Sequence, residues 1–445
     1  MDYSERLENV AVLGAAGKMG RGIVLLLAME MADIGLKPEF RSRRFVLHAV
    51  DVSHAMLSGL MRYLREQVQK AAEKRIVALR KVYADRADLV DNSDIVRQYV
   101  NDVLDVVRPT TMLEAAAESN VIFEAAPENL DLKLQLFART ASDNPRQPWV
   151  FTNTSSIPIE EIAGRARLDG RVMGFHFYNP PAVQKLVELI RAGSTSDDVA
   201  AFATALCKNL RKVVVPSADR PGFIGNGHFM RDLLHGVAEV DRLAKTMPFV
   251  EAVYSVNRVS QDFLVRPMGI FQLIDYVGLD VCQCILAVMN PRLQGENLHS
   301  PLIDRLLSQG VRGGQHHDGS QKDGFLQYAK GRIAGVYDPE AKRYVPVADF
   351  QAACDARLGP LPQPAVLWKE IVLDKAKDAR LTQFFGAFKS MKTAGAELAL
   401  AYGARSREIG LKLVSDGVAR DADDVNQVLL TGFFHAYGPI NAYFG

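Results

Sequence analysis

Residues Asn9–Met31 read NVAVLGAAGKMGRGIVLLLAMEM. Asn9 to Leu13 is a short apolar run that suits a buried strand. It stops at Gly14-Ala15-Ala16-Gly17-Lys18-Met19-Gly20, and from Gly22 to Met31 the apolar positions take a helical period. The predicted order is strand, glycine turn, helix. Glycines allow a tight turn and close backbone approach, and a helix N-terminus offers N–H groups to a pyrophosphate. A second strand, Arg44–Val50 (RFVLHAV), ends at Asp51. A carboxylate there accepts from adenine-ribose hydroxyls and repels a 2′-phosphate, which favours NAD over NADP; a plain helix-capping Asp is the other reading. The stretch MADIGLKPEFRSRR, with its centre at 32–43, is expected to be a loop inserted after the first helix.

The chain has 445 residues, 48% of them hydrophobic, which is enough for two or three domains. Its net charge of +1 argues against a nucleic-acid or anionic-membrane partner. Four cysteines are too few for a disulfide framework, and Cys282-x-Cys284 lies in an apolar run that reads as a buried helix and not a metal clip. The acidic start enters a strand at once. A reduced, cytoplasmic protein without membrane insertion is the expectation.

Residues 54–104 have a helical period and read as a hairpin projecting from the sheet domain. One flank is basic: Arg62, Arg65, Lys70, Lys74, Arg75, Arg80 and Lys81. Such a flank is either a solvated face or a surface for a polyanionic ligand. The sheet resumes with a strand at Asp105–Arg108, a helix at Thr111–Ser119, and a strand at Val121–Ala125. Glu128 and Lys133 follow just past the end of that last strand, where ligands of such sheets bind.

Strand Trp149–Thr152 leads into Asn153-Thr154-Ser155-Ser156. One reading makes Ser155 or Ser156 the cap of a helix opening at Pro158. The other gives these polar side chains a role at a site. Strand Arg171–Phe177 carries His176, the turn Tyr178-Asn179-Pro180-Pro181 follows, and strand Lys185–Ile190 returns with Glu188. A carboxylate in an apolar strand needs a partner, so the pair suggests a Glu-oriented imidazole acting as general base. Downstream, DRPGFIGN ends at Asn226, which is either a helix cap or an amide polarising a substrate oxygen.

Together VLGAAGKMGRGI, FEAAPENLDLK, NTSS, GFHFYNPPAVQKLVELI, DRPGFIGN and RPMGIFQLIDYVGLD resemble the L-3-hydroxyacyl-CoA dehydrogenase family, in its order and spacing, to about residue 335. The resemblance implies an α/β Rossmann-type N-terminal domain with a helical-hairpin insertion, followed by all-α C-terminal domains. It implies His176 as base and Glu188 as its partner, with Ser155 and Asn226 on the reacting oxygen. NAD would meet the glycine turn, Asp51, Glu128, Lys133, Asn153, Ser155, Asn179 and Lys322. Acyl-CoA would meet Ser155 and Asn226, with Lys74 on its phosphates. No metal is implied. The sequence departs from the family pattern at Ala15, at Gln67 where the pattern has a Ser, and at Gly227-His228 after Asn226.

Beyond Pro221 the chain reads as helical. His316-His317 falls in a Gly-rich loop and reads as solvated and not metal-bound. The stretch IGLKLVSDGVARDADDVNQVLLTGFFHAYGPINAYF partially repeats VEAVYSVNRVSQDFLVRPMGIFQLIDYVG. This is similar to the doubled C-terminal domain of multifunctional fatty-acid oxidation enzymes, here with no hydratase part in front. The expected divisions are 1–217, 218–350 and 351–445. A second copy would satisfy the pairing surface within one chain, so a monomer or weak homodimer is expected, coupled to separate enoyl-CoA hydratase and thiolase. The competing functions are a same-fold dehydrogenase of another hydroxyacid and a non-catalytic NAD- or acyl-CoA-binding protein.

Overall fold

The computed structural model describes residues 2–316 and 319–444. The apolar runs of the first half line up as one sheet: β1 (Asn9–Leu13), β2 (Val46–Val50), β3 (Val107–Thr110), β4 (Val121–Glu124), β5 (Trp149–Thr152), β6 (Val172–Phe177), β7 (Leu186–Arg191) and β8 (Val213–Ala218). Their order is β3-β2-β1-β4-β5-β6-β7-β8, and every neighbouring pair is parallel except β6 and β7. Parallel strands covered on both faces read as unbroken apolar runs, which is why these segments were legible. The order reverses beside β1, so the switch point at which such sheets bind ligands lies between β1 and β4.

The first unit spans Met1–Asp219. Helix α1 (Gly20–Gly35) is longer than its glycine-turn pattern predicts, because Met31, Ala32 and Ile34 continue its buried stripe. The first five residues of the expected insertion are therefore helix, and only a short turn at Pro38–Phe40 follows. The hairpin consists of α2 (His54–Lys74), a short helix Ile76–Val82, and α3 (Asn92–Val106). α2 buries Leu57, Leu60, Leu64 and Val68, and α3 buries Ile95, Tyr99 and Val103. α3 extends to Val106, so β3 starts two residues later than expected, and the stretch expected as a helix at 111–119 is a 3-10 segment, Leu113–Glu118. Arg75 leaves the basic flank. Its guanidinium donates to Asp33 Oδ2 and to the Tyr99 hydroxyl, each at 2.8 Å, and ties the hairpin to the end of α1. α4 (Ile159–Ala166) follows β5.

The second unit spans Arg220–Gly445 and is mainly helical, with α5 (Gly225–Leu243), α6 (Phe249–Arg258), α7 (Ile270–Val277), α8 (Ala394–Ser415) and α9 (Ala422–Gly432) among its helices. The all-α expectation needs one correction. β9 (Leu326–Ala329), β10 (Arg332–Asp338) and β11 (Arg343–Pro346) form an antiparallel sheet. Lys330 and Gly331 both take positive φ, which suits the two-residue turn joining β9 to β10. The buried Asp275 carboxylate of α7 anchors the sheet, accepting from Phe325 N at 2.7 Å, Leu326 N at 2.9 Å and the Tyr328 hydroxyl at 3.0 Å.

The division expected at 350/351 does not separate two cores. Leu233, Phe263 and Phe271 belong to the same buried cluster as Leu381, Phe385 and Tyr402. Within that core the two similar stretches make like contacts. Asn257 Oδ1 accepts from Phe271 N at 3.1 Å and Gln272 N at 3.2 Å, and Gly269 leaves no room for a Cβ against Asn257. In the second stretch Asn426 Oδ1 accepts from Ile440 N at 3.0 Å, and Gly438 is equally tight against Asn426. α5 and α8 pack antiparallel. His228 meets Ser406 at 3.2 Å, and the Tyr402 hydroxyl donates to Asp232 O at 3.2 Å.

Candidate active site

The antiparallel register of β6 and β7 sets His176 directly opposite Glu188. Nδ1 lies 3.2 Å from Glu188 Oε1, and Glu188 is fully buried. An ionised carboxylate at Nδ1 calls for Nδ1–H, which leaves Nε2 as the basic nitrogen. The Tyr178 hydroxyl donates to the same Oε1 at 2.7 Å, and its ring lies 4.9 Å from the His176 ring. Asn153 Oδ1 accepts from Phe177 N at 2.9 Å, so the NTSS segment fixes the strand end beside His176. The following turn is braced on two sides. Pro181 packs where any Cβ on Gly22 would stand, at 2.9 Å, and the Lys212 ammonium donates to Pro181 O and Gln184 O at 2.5 and 2.6 Å.

The NTSS segment does not cap α4 through its serines. It wraps the Glu128 carboxylate. Oε1 accepts from Thr154 Oγ1 at 2.6 Å, Ser155 N and Ser156 N at 2.9 Å each, Ser156 Oγ at 2.8 Å and Ser155 Oγ at 3.3 Å. Burial works to raise the carboxyl's pKa, but Lys133 and these donors outweigh it and hold it below the usual range. Lys133 is itself buried, 2.7 Å from Glu124 Oε1 and 3.6 Å from Glu128 Oε2. Burial lowers its pKa and the two carboxylates more than restore it. The cap of α4 comes from far away: Asp219 accepts from Ile159 N at 2.6 Å and from Glu160 N at 2.7 Å.

The glycine turn fits a dinucleotide. Gly14 has φ +77°, and a side chain there would run into Ala125 O at 2.8 Å. The amides of Gly14 and Ala15 donate to Val50 O, and Gly17 N donates to Gly14 O. Ala16 N donates to Asp51 Oδ2 at 2.9 Å, so Asp51 holds the turn as well as standing at the end of β2. No side chain caps the start of α1 at Met19, which leaves the helix end suited to phosphate.

Residues 9–220 match the family described as 3-hydroxyacyl-CoA dehydrogenase, NAD binding domain, and residues 249–323 match its C-terminal domain. A probable 3-hydroxybutyryl-CoA dehydrogenase of Bacillus subtilis is 30% identical over 337 residues, covering 76% of this chain and 99% of its own length. The chain belongs to the 3-hydroxyacyl-CoA dehydrogenase family. NAD is the cofactor of its first domain. Among solved structures, M. tuberculosis FadB2 (26% identical, TM-score 0.55) aligns over 73% of this chain and 99% of its own. The 3-hydroxybutyryl-CoA dehydrogenase of Escherichia coli (21% identical, TM-score 0.64) shares the fold over 98% of this chain and 90% of its own.

The other expected site residues of this dehydrogenase lie as follows. Asn226 is the second residue of α5, whose cap position is Ile224, so Asn226 is not the cap. Lys74 ends α2 and is exposed, with half-buried Gln67 two turns earlier. Asn179 is half-buried in the turn after β6. Lys322 is exposed in the second unit, its N–H on Gly314 O. Among the described residues no cluster of His, Cys, Asp and Glu could hold a metal, and His317 lies outside them. Cys282 is buried on the helix Leu279–Met289. No single described helix is long and apolar enough to cross a membrane. Sequence reading missed Glu124, Lys212 and the Tyr178 hydroxyl. The only signal for Glu124 was a carboxylate inside the apolar strand VIFE.

Proposed function

We propose that this chain oxidises the 3-hydroxyl of an L-3-hydroxyacyl-CoA to the 3-ketoacyl-CoA, in fatty-acid or related acyl-CoA β-oxidation. The observation that carries the reading is His176 held at 3.2 Å by a fully buried Glu188. NAD, when bound, supplies the hydride acceptor. His176 Nε2 takes the hydroxyl proton, and Glu188 stabilises the resulting imidazolium. Ser155 donates to the oxygen as charge develops on it. The Glu128 clamp fixes the backbone of Ser155 for that task. Lys74 carries the CoA phosphates.

Initial rates of NADH formation test this with 3-hydroxybutyryl-CoA, a longer acyl-CoA and the free hydroxyacids. His176→Ala is expected to lower kcat by about 10²- to 10⁴-fold on the CoA esters. Lys74→Ala is expected to raise KM for the CoA ester and leave KM for a pantetheine thioester unchanged. Turnover of free acids alone, or an unaffected His176→Ala variant, would sink the proposal.

A further inference from the structure

We propose that Tyr178 is a positioning residue of the base, and that its hydroxyl sets how strongly Glu188 supports a protonated His176. This rests on His176 acting as the base. The geometry is direct. Glu188 Oε1 accepts from two donors at once, His176 Nδ1 at 3.2 Å and the Tyr178 hydroxyl at 2.7 Å. The phenol bond is the shorter and draws density from the same oxygen that faces the imidazole. The phenol ring also lies beside the imidazole, with centroids 4.9 Å apart, which limits rotation of the ring.

On β8 the residue in register with Glu188 is Val215, and β5 sends the neutral Asn153 amide to Phe177 N. Lys212, on the far side of the turn, directs its ammonium to the carbonyls of Pro181 and Gln184. Burial and then the Glu188 charge push the phenol's pKa well above its usual value, so Tyr178 stays a proton donor through the working range. A Phe at this position would keep the ring and remove the bond to Glu188. The carboxylate would then turn fully to the imidazole, which would protonate more readily and lose its basic form at a higher pH.

The experiment compares wild type, Tyr178→Phe, Glu188→Gln and the double variant. The acid limb of the pH–kcat/KM profile of Tyr178→Phe should move up by about half to one pH unit, the size of one net hydrogen bond. The same displacement should appear in an NMR titration of the His176 ring, assigned with His176→Gln and requiring no turnover. In the Glu188→Gln background, Tyr178→Phe should move neither. A uniform loss of rate with an unmoved limb and ring titration, a downward shift, or a shift that survives Glu188→Gln would overturn the proposal. If wild type turns over no 3-hydroxyacyl-CoA, the functional reading fails, and the ring titration alone still decides the part played by Tyr178.

Discussion

A single carboxylate, Glu128, organises three consecutive residues of the loop that carries Ser155. Its depressed pKa means that the folded state holds the ionised form more firmly than the unfolded chain does. The stability it contributes is present above the ordinary carboxylate range and is lost as pH falls through the folded value. Glu128→Gln puts an amide where Lys133 and several N–H and O–H donors converge, and one of its polar atoms can only donate. We expect a loss of about 1–3 kcal/mol in urea unfolding and a fall in kcat of about 10- to 100-fold as Ser155 drifts. Unchanged stability would mean that Glu124 alone satisfies Lys133. At this scale legibility follows chemistry. His176 and Glu188 stood out because polar groups in apolar strands need partners. Glu124 sits in such a strand too, but its partner Lys133 lies nine residues on, beyond a turn, and only the folded loop brings the two within 2.7 Å.

At the scale of elements, the β1-turn-α1 unit and the β6–β7 return were readable because their periodicity and turn residues act over a few positions. Long-range caps were not. α4 starts with Pro158 and no local side-chain acceptor, and the acceptor that completes it, Asp219, is contributed from beyond β8. The Ser155/Ser156 cap expected from the sequence fails because Glu128 claims those residues, a contact no local pattern encodes. The β9–β11 sheet was missed for a related reason: its hairpin turn is Lys330-Gly331 rather than Asn-Gly, and its anchor Asp275 lies on α7. The long-range cap predicts that Asp219→Ala loses about 1–2 kcal/mol by thermal or urea unfolding, with Asp219→Asn recovering part of it. An Asp219→Ala protein as stable as wild type would show that water replaces the carboxylate at the exposed start of α4.

For the molecule as a whole, the α5–α8 pairing joins the two similar stretches of the second unit in one core, while the alignment with FadB2 covers 73% of the chain. We therefore expect one-chain mass by light scattering and a thermal midpoint of the second unit that does not change with protein concentration. A concentration-dependent midpoint would mean that chains pair as well. The same pairing buries titratable groups. His228, between Ser406 and the Asp232–Arg266 ion pair, has its pKa held down to about 4, by burial first, and burial also holds the His435 pKa well below its usual value. An unfolded histidine takes up its proton near pH 6.5, whereas folded His228 does so only near 4. The unfolded state thus binds more protons between those values, and stability must fall as pH drops through that window, by about 1.4 kcal/mol per unit for one such group. Urea midpoints measured from pH 7 to pH 4 should decline. The decline should be shallower in His228→Gln, whose amide can still reach Ser406, even though that variant starts from a lower midpoint at pH 7. If wild type and variant lose stability in parallel, the acid sensitivity resides in His435 or in the carboxylates of the first unit, and α5–α8 does not gate unfolding in acid.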